Sequence, residues 1–171
     1  MNITAAQVNE LRNRTGAGIL DCKKALVESQ GDMDQAIDYL RKKGAAMAAK
    51  RADRAANEGR VSAKISDNKK FGVLVEVNCE TDFVAKSEAF VEFSKKVTDL
   101  AFEKKVKSSQ ELIDTTPEIG NMLNDLTAKI GEKLEISRIS SLETENGVID
   151  YYIHYGDRLG SLVRFDNIDG E

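Results

Sequence analysis

"KKFGVLVEVNCETDFVAK", residues 69–86, holds the reading that decides the fold. Val73, Val75 and Val77 lie two apart and share one face of a strand. The alternation then breaks at Asn78, Cys79, Glu80, Thr81 and Asp82, and Phe83 follows. A Phe where a strand feeds a helix is either the first core residue of that helix or a ring held out for another molecule. At such a corner core is the commoner place, and the polar lead-in pulls only a little toward exposure. A helix N-cap at Thr81 or Asp82 explains the same residues equally well.

Working outward, Val61, Ala63 and Ile65 alternate, "SDNKK" (66–70) turns, and residues 71–77 return as the second strand of a hairpin. Residues 84–105 read as a helix with Val84, Phe90, Phe93, Val97 and Leu100 on one side. A loop with the only proline, Pro117, leads to another helix through Ile119, Met122, Leu123, Leu126 and Ile130. Strands follow at about 134–142, 147–155 and 159–165. The body is therefore α+β, with antiparallel hairpins covered by helices: a first core subdomain over 58–145 and a second, incomplete one over 146–171.

That second subdomain repeats residues 58–83. Residues 59–78 moved forward by 88 fall on 147–166. Gly59 meets Gly147, Val61 meets Ile149, Ile65 meets Ile153, and Gly72, Leu74 and Val75 meet Gly160, Leu162 and Val163. Glycines scattered by chance in turns would not keep one offset across two strands. "KKFGVLVEV" is answered by "DRLGSLVRF", but the second copy reaches "DNIDGE" where a covering helix should begin. Either the sequence is a piece of a longer chain or a shortened form covers that face otherwise; pairing of two copies stays open.

Ahead of the body, residues 1–43 read as three short helices packed as a bundle. Thr4 and Gln7 form a capping box, and Ile3, Val8 and Leu11 give an apolar side. "RTGAG" breaks the chain at Gly16 and Gly18; Ile19, Cys22, Ala25 and Leu26 make a second helix that Gly31 ends. Asp32 caps a third, with Met33, Ala36, Ile37 and Leu40 at i, i+3, i+4 and i+7. "GAAMAAKRADRAAN" (44–57) has seven alanines and reads as a helical tether with little to bury. Its Lys50, Arg51 and Arg54 fit a solvated face.

Composition excludes several classes. Net charge is −4 with 32% charged residues, and no apolar run nears the roughly 18 residues of a membrane span. No secretory signal is visible at the N-terminus. Cys22 and Cys79 lack companions for a metal site and read as reduced thiols of a cytoplasmic protein. Residues 1–60 carry 11 basic and 8 acidic side chains and one aromatic, Tyr39, too weak a pattern for nucleic acid. The Gly16–Lys23 stretch lacks the Gly-Lys-Ser/Thr of a phosphate loop and follows a helix, not a strand. His154 is the only histidine, so neither an HExxH site nor a Ser/His/Asp triad has support. By itself it fits a sheet face, with a binding role as the alternative. No enzyme, cofactor or metal site is expected.

Five stretches in order, "LRNRTGAGILDCKKAL" (11–26), "LRKKGAAMAAK" (40–50), "VNCETDFVAK" (77–86), "KIGEKLEISR" (129–138) and "YIHYGDRLGSLV" (152–163), closely resemble the bacterial elongation factor Ts family. The resemblance spans essentially all 171 residues. Longer members continue into the rest of a second core subdomain, a protruding helical hairpin and a C-terminal module. The resemblance implies a guanine-nucleotide exchange factor for elongation factor Tu, with an N-terminal bundle like a ubiquitin-associated (UBA) fold. It implies that Thr81, Asp82, Phe83 and Val84 reach the partner near its Mg²⁺ and phosphate site, with Phe83 wedged into an apolar pocket. Arg12, Ile19 and Leu20 match docking positions of the bundle; Ile130, Gly131 and His154 match contacts from the core. The alternative is a truncated module that docks without efficient exchange.

Overall fold

The computed structural model describes residues 2–167. Helices α1 (Ala5–Thr15), α2 (Ile19–Glu28) and α3 (Met33–Lys50) precede strands β1 (Glu58–Ile65) and β2 (Phe71–Cys79). Then come α4 (Asp82–Ala85), α5 (Glu88–Glu103), α6 (Ser109–Thr115), α7 (Pro117–Ile130), β3 (Leu134–Glu143), β4 (Gly147–Ile153) and β5 (Gly160–Asp166). The chain divides into two compact units, residues 1–54 with 121–133, and 55–120 with 134–171.

In the first unit the expected capping box forms: Gln7 N–H donates to Thr4 Oγ1, and the Gln7 side chain accepts from Thr4 N–H. Gly16 ends α1 at φ 68°, a left-handed position that favours glycine. Gly31 closes α2, its N–H donating to the Leu26 carbonyl at 2.8 Å. Val8, Leu11, Cys22, Ala25, Leu26, Ala36 and Leu40 form the buried core, while Ile19 departs from that stripe and stays exposed.

Of the helix expected over 44–57, only residues 44–50 are helical. α3 runs unbroken through Gly44 to Lys50. Gly44 is buried, and a Cβ there would lie 3.2 Å from both the Ala128 Cβ and the Asn124 carbonyl of α7. Gly44 thus packs on the C-terminal half of a helix some eighty positions away, which a local pattern cannot reveal.

The second unit is built on the antiparallel sheet β1-β2-β3. Ser62 and Lys64 pair with Val75 and Val73, so these share a face. That face meets α5: Ser62 Oγ lies 2.6 Å from Thr98 Oγ1, and Lys64 pairs with Asp99. Phe90, Phe93 and Val97 of α5 and Val73, Val75 and Val77 of β2 are all buried there. A bulge at Glu76/Val77 skips Ser137, which lets Ile136 and Ile139, three apart, both face the core. The single helix expected over 84–105 is two. α4 stops at Ala85, α5 starts after Ser87, and Val84 and Leu100 are only half-buried beside the buried stripe Phe90, Phe93, Val97 and Ala101. The loop before Pro117 also holds a helix, α6, capped by Ser108.

The other face of hairpin β1–β2 receives hairpin β4–β5. A Cβ on Gly72 would meet Ile149 Cγ2 at 3.0 Å, and one on Gly160 would meet Val61 Cγ1 at 3.0 Å. These contacts exchange under the 88-residue shift. So do two others: a Cβ on Gly59 would sit 2.2 Å from the Val77 carbonyl oxygen, and one on Gly147 2.1 Å from that of Phe165. The first hairpin is therefore covered by a helix on one face and by its own repeat on the other. The second packs Ile149 inward and leaves Tyr152, Val163 and Phe165 exposed on the side matching the one α5 covers. The expected stop before a covering helix falls, from residue 168 on, outside the described residues.

Candidate functional site: an exposed aromatic corner and an apolar groove

Phe83 is 82% exposed, although it sits one residue into a helix between two core segments. Its mount is stapled from several sides. Val84 N–H donates to Thr81 Oγ1 at 3.4 Å, which makes Thr81 the N-cap. The Cys79 thiol donates to the Thr81 carbonyl at 3.1 Å, and Ser87 Oγ donates to the Val84 carbonyl at 2.8 Å. Ala85 is buried and anchors the far side of the turn. One turn of helix held at both ends leaves the ring projecting with little backbone freedom to lose.

Asp82 is paired with Lys86 at 2.7 Å. The Lys86 hydrogen bond, foremost, holds the Asp82 carboxyl below its ordinary value, with smaller help from the Phe83 N–H and the Arg158 charge. Arg158 belongs to the turn after β4 that also carries His154. His154 is exposed; its N–H donates to the Leu159 carbonyl and its Nδ1 lies 2.8 Å from the Tyr152 hydroxyl. In the same turn Tyr155 and Leu159 are 99% and 64% exposed, apolar surface that the sequence pattern did not mark.

In the first unit Ile19 and Leu20 are exposed at the start of α2. With Ile3, Val8, Asn9 and Lys23 they line a shallow groove of about 430 Å³. Arg12 is exposed on α1. Ile130 and Gly131 are half-buried, and they fall with the helical unit, not with the body where the sequence reading put them. Gly131 ends α7 at φ 84°, its N–H donating to the Thr127 carbonyl. The structure thus gathers Arg12, Ile19, Leu20, Ile130 and Gly131 in one unit, and Thr81, Asp82, Phe83, Val84 and His154 in the other.

Both cysteines are buried and outside any disulfide. Among the described residues no cluster of three or more His, Cys, Asp or Glu could hold a metal, and no helix is long and apolar enough to cross a membrane.

An exposed ring on a capped corner and an apolar groove are the kinds of surface on which proteins in general make contacts. The sequence profile described as Elongation factor TS matches residues 80–171. The chain belongs to the elongation factor Ts family. It is 48% identical over 168 residues to the elongation factor Ts of Chlorobaculum parvum, covering 94% of this chain and 58% of the relative. Against that of Trichlorobacter lovleyi it is 50% identical over 169 residues, covering 95% and 54%. For Chlorobaculum tepidum the figures are 47% over 171 residues, 96% and 59%. The chain therefore spans somewhat over half the length of these relatives.

Proposed function

We propose that the chain is a cytoplasmic guanine-nucleotide exchange factor acting on elongation factor Tu. It carries out no covalent chemistry and needs no cofactor, nucleic acid or membrane. The observation that supports it best is Phe83, exposed on a capped corner in a member of this family. The ring inserts into an apolar pocket of the partner's nucleotide domain, and Asp82 makes a polar contact beside it. Thr81 and Val84 hold the corner. The partner's Mg²⁺ ligands lose their places and phosphate binding weakens. The three-helix unit, read as UBA-like, docks through Arg12, Ile19 and Leu20. Ile130, Gly131 and His154 add contacts.

The energetics are those of linkage. An exchange factor that weakens GDP a thousandfold is itself weakened a thousandfold by GDP, a coupling of about 4 kcal/mol. A buried aromatic anchor can supply about 2 kcal/mol or more of that. The test is release of fluorescent GDP from elongation factor Tu on addition of the chain. Release should accelerate, and Phe83→Ala should remove most of the acceleration. Unchanged release with the intact chain overturns the reading.

A second reading rests on the apolar groove of Ile19 and Leu20, which lies in the helical unit apart from Phe83. The chain then docks without driving exchange: a complex forms, the GDP off-rate stays unaltered, Arg12→Ala weakens docking and Phe83→Ala matters little. Sedimentation of the chain, alone and with elongation factor Tu, reads docking and self-association together.

A further inference from the structure

We infer that Arg158 is a positioning residue for Phe83: from the turn of the second hairpin it holds Glu58, and through Glu58 the sheet edge from which the Phe83 corner springs. The inference rests on the exchange reading above. Arg158 Nη2 lies 2.8 Å from both carboxylate oxygens of Glu58. Glu58 stands opposite Cys79 in the ladder. The Cys79 thiol in turn donates to the carbonyl of Thr81, the residue that caps the turn bearing Phe83. Arg158 also lies close enough for its charge to act on Asp82, next to the ring.

The internal repeat isolates what is particular to this contact. The residue 88 positions before Arg158 is Lys70, whose Nζ donates to the Gly147 carbonyl at 2.6 Å. Each hairpin turn thus sends a basic side chain to the opening of the other hairpin's first strand, and Lys69 adds a pair with Asp150 further along β4. Lys70 takes a single backbone oxygen. Arg158 takes both oxygens of a carboxylate through a single nitrogen. The copy whose first strand opens on a carboxylate held from the other turn is the one whose return strand leads into Phe83.

Arg158 is largely exposed, and an exposed ion pair adds little to global stability. Its loss should leave the fold intact and alter the aim of the ring. In GDP-release assays on elongation factor Tu across a range of chain concentrations, Arg158→Gln should lower the maximal rate about two- to fivefold with the half-saturating concentration unchanged. Arg158→Lys should recover most of the loss, and in a Phe83→Ala background Arg158→Gln should have no further effect. Equal maximal rates for Arg158→Gln and the parent chain, or an undiminished effect in the Phe83→Ala background, would overturn the inference. If the parent chain does not accelerate release, the exchange reading fails, and the free chain decides the positioning role. Amide exchange of Val84 should then quicken in Arg158→Gln while that of Val75 stays the same. An unaltered Val84 rate overturns it.

Discussion

The Val61 N–H donates to the Asp157 carbonyl at 2.6 Å, and 88 residues on the Ile149 N–H donates to the Lys69 carbonyl at 2.8 Å. Both acceptors sit in hairpin turns at positive φ, 58° and 55°. A side-chain packing motif can arise by chance, but a reciprocal backbone bond between matching turns and strands requires a local two-fold relation. The two hairpins therefore pack as near-equivalent halves, each first strand feeding one hydrogen bond to the other's turn.

The glycines that open each hairpin, tight against its own return strand, should be intolerant. At Gly59 and Gly147 a Cβ would fall within 2.2 Å of a backbone carbonyl oxygen, which no side-chain adjustment relieves. Gly59→Ala and Gly147→Ala should each cost about 2 kcal/mol or more in urea unfolding. Gly120→Ala, whose only close neighbour is Ile113 Cγ2 at 3.9 Å within a helix, should stabilise by about 0.5–1 kcal/mol.

Phe83 and Phe90, seven residues apart, should behave oppositely. Phe83→Ala removes an exposed ring and should change stability by no more than about 0.5 kcal/mol while abolishing most of the GDP release. Phe90 is fully buried, and Phe90→Ala should cost about 3–5 kcal/mol. Paired denaturation and release assays separate the two.

Thr81→Ala removes the oxygen that receives the Val84 N–H and should cost about 1 kcal/mol. Thr81→Ser keeps that oxygen and should retain most of the stability and of the GDP release. A Thr81→Ala protein with parent-like urea midpoint and Val84 amide exchange would show that the cap does not hold the corner.

Asp82 provides a pH prediction. Its folded pKa is lowered, chiefly by the Lys86 hydrogen bond, so the unfolded chain binds a proton more readily. The associated stabilisation is present above the unfolded carboxylate value and is lost as pH falls through the lower folded value. Carboxyl NMR titration should place Asp82 below an ordinary aspartate, and Lys86→Ala should move its midpoint upward. No upward movement would show that the ion pair is not the cause.

Much of this architecture was readable because its signals are local or strictly periodic. The Thr4–Gln7 box, the Gly16 and Gly31 breaks and the 88-residue repeat all follow from spacing alone. Three features were not readable for one reason: their cause lies far off in sequence or in backbone geometry. α3 passes Gly44 where that residue packs on α7. Ile136 and Ile139 share a face because a bulge absorbs Ser137. Ile130 and Gly131 join the helical unit because α7 runs from one unit into the other. At the candidate site, the polar lead-in to Phe83 was visible, but Thr81 and Asp82 fitted the cap equally until the Val84 N–H was placed. Arg158 carried no signal, since its partner Glu58 lies 100 residues away.

The seam between the hairpins also bears on how the chain reaches its native state. The first hairpin and the helix beside it assemble from neighbours close in sequence, whereas the seam must bring together segments nearly ninety residues apart. Loop closure on that scale is entropically costly and places the seam among the late events of folding. On a chain emerging N-terminus first, the corner bearing Phe83 is synthesised long before the turn that steadies it.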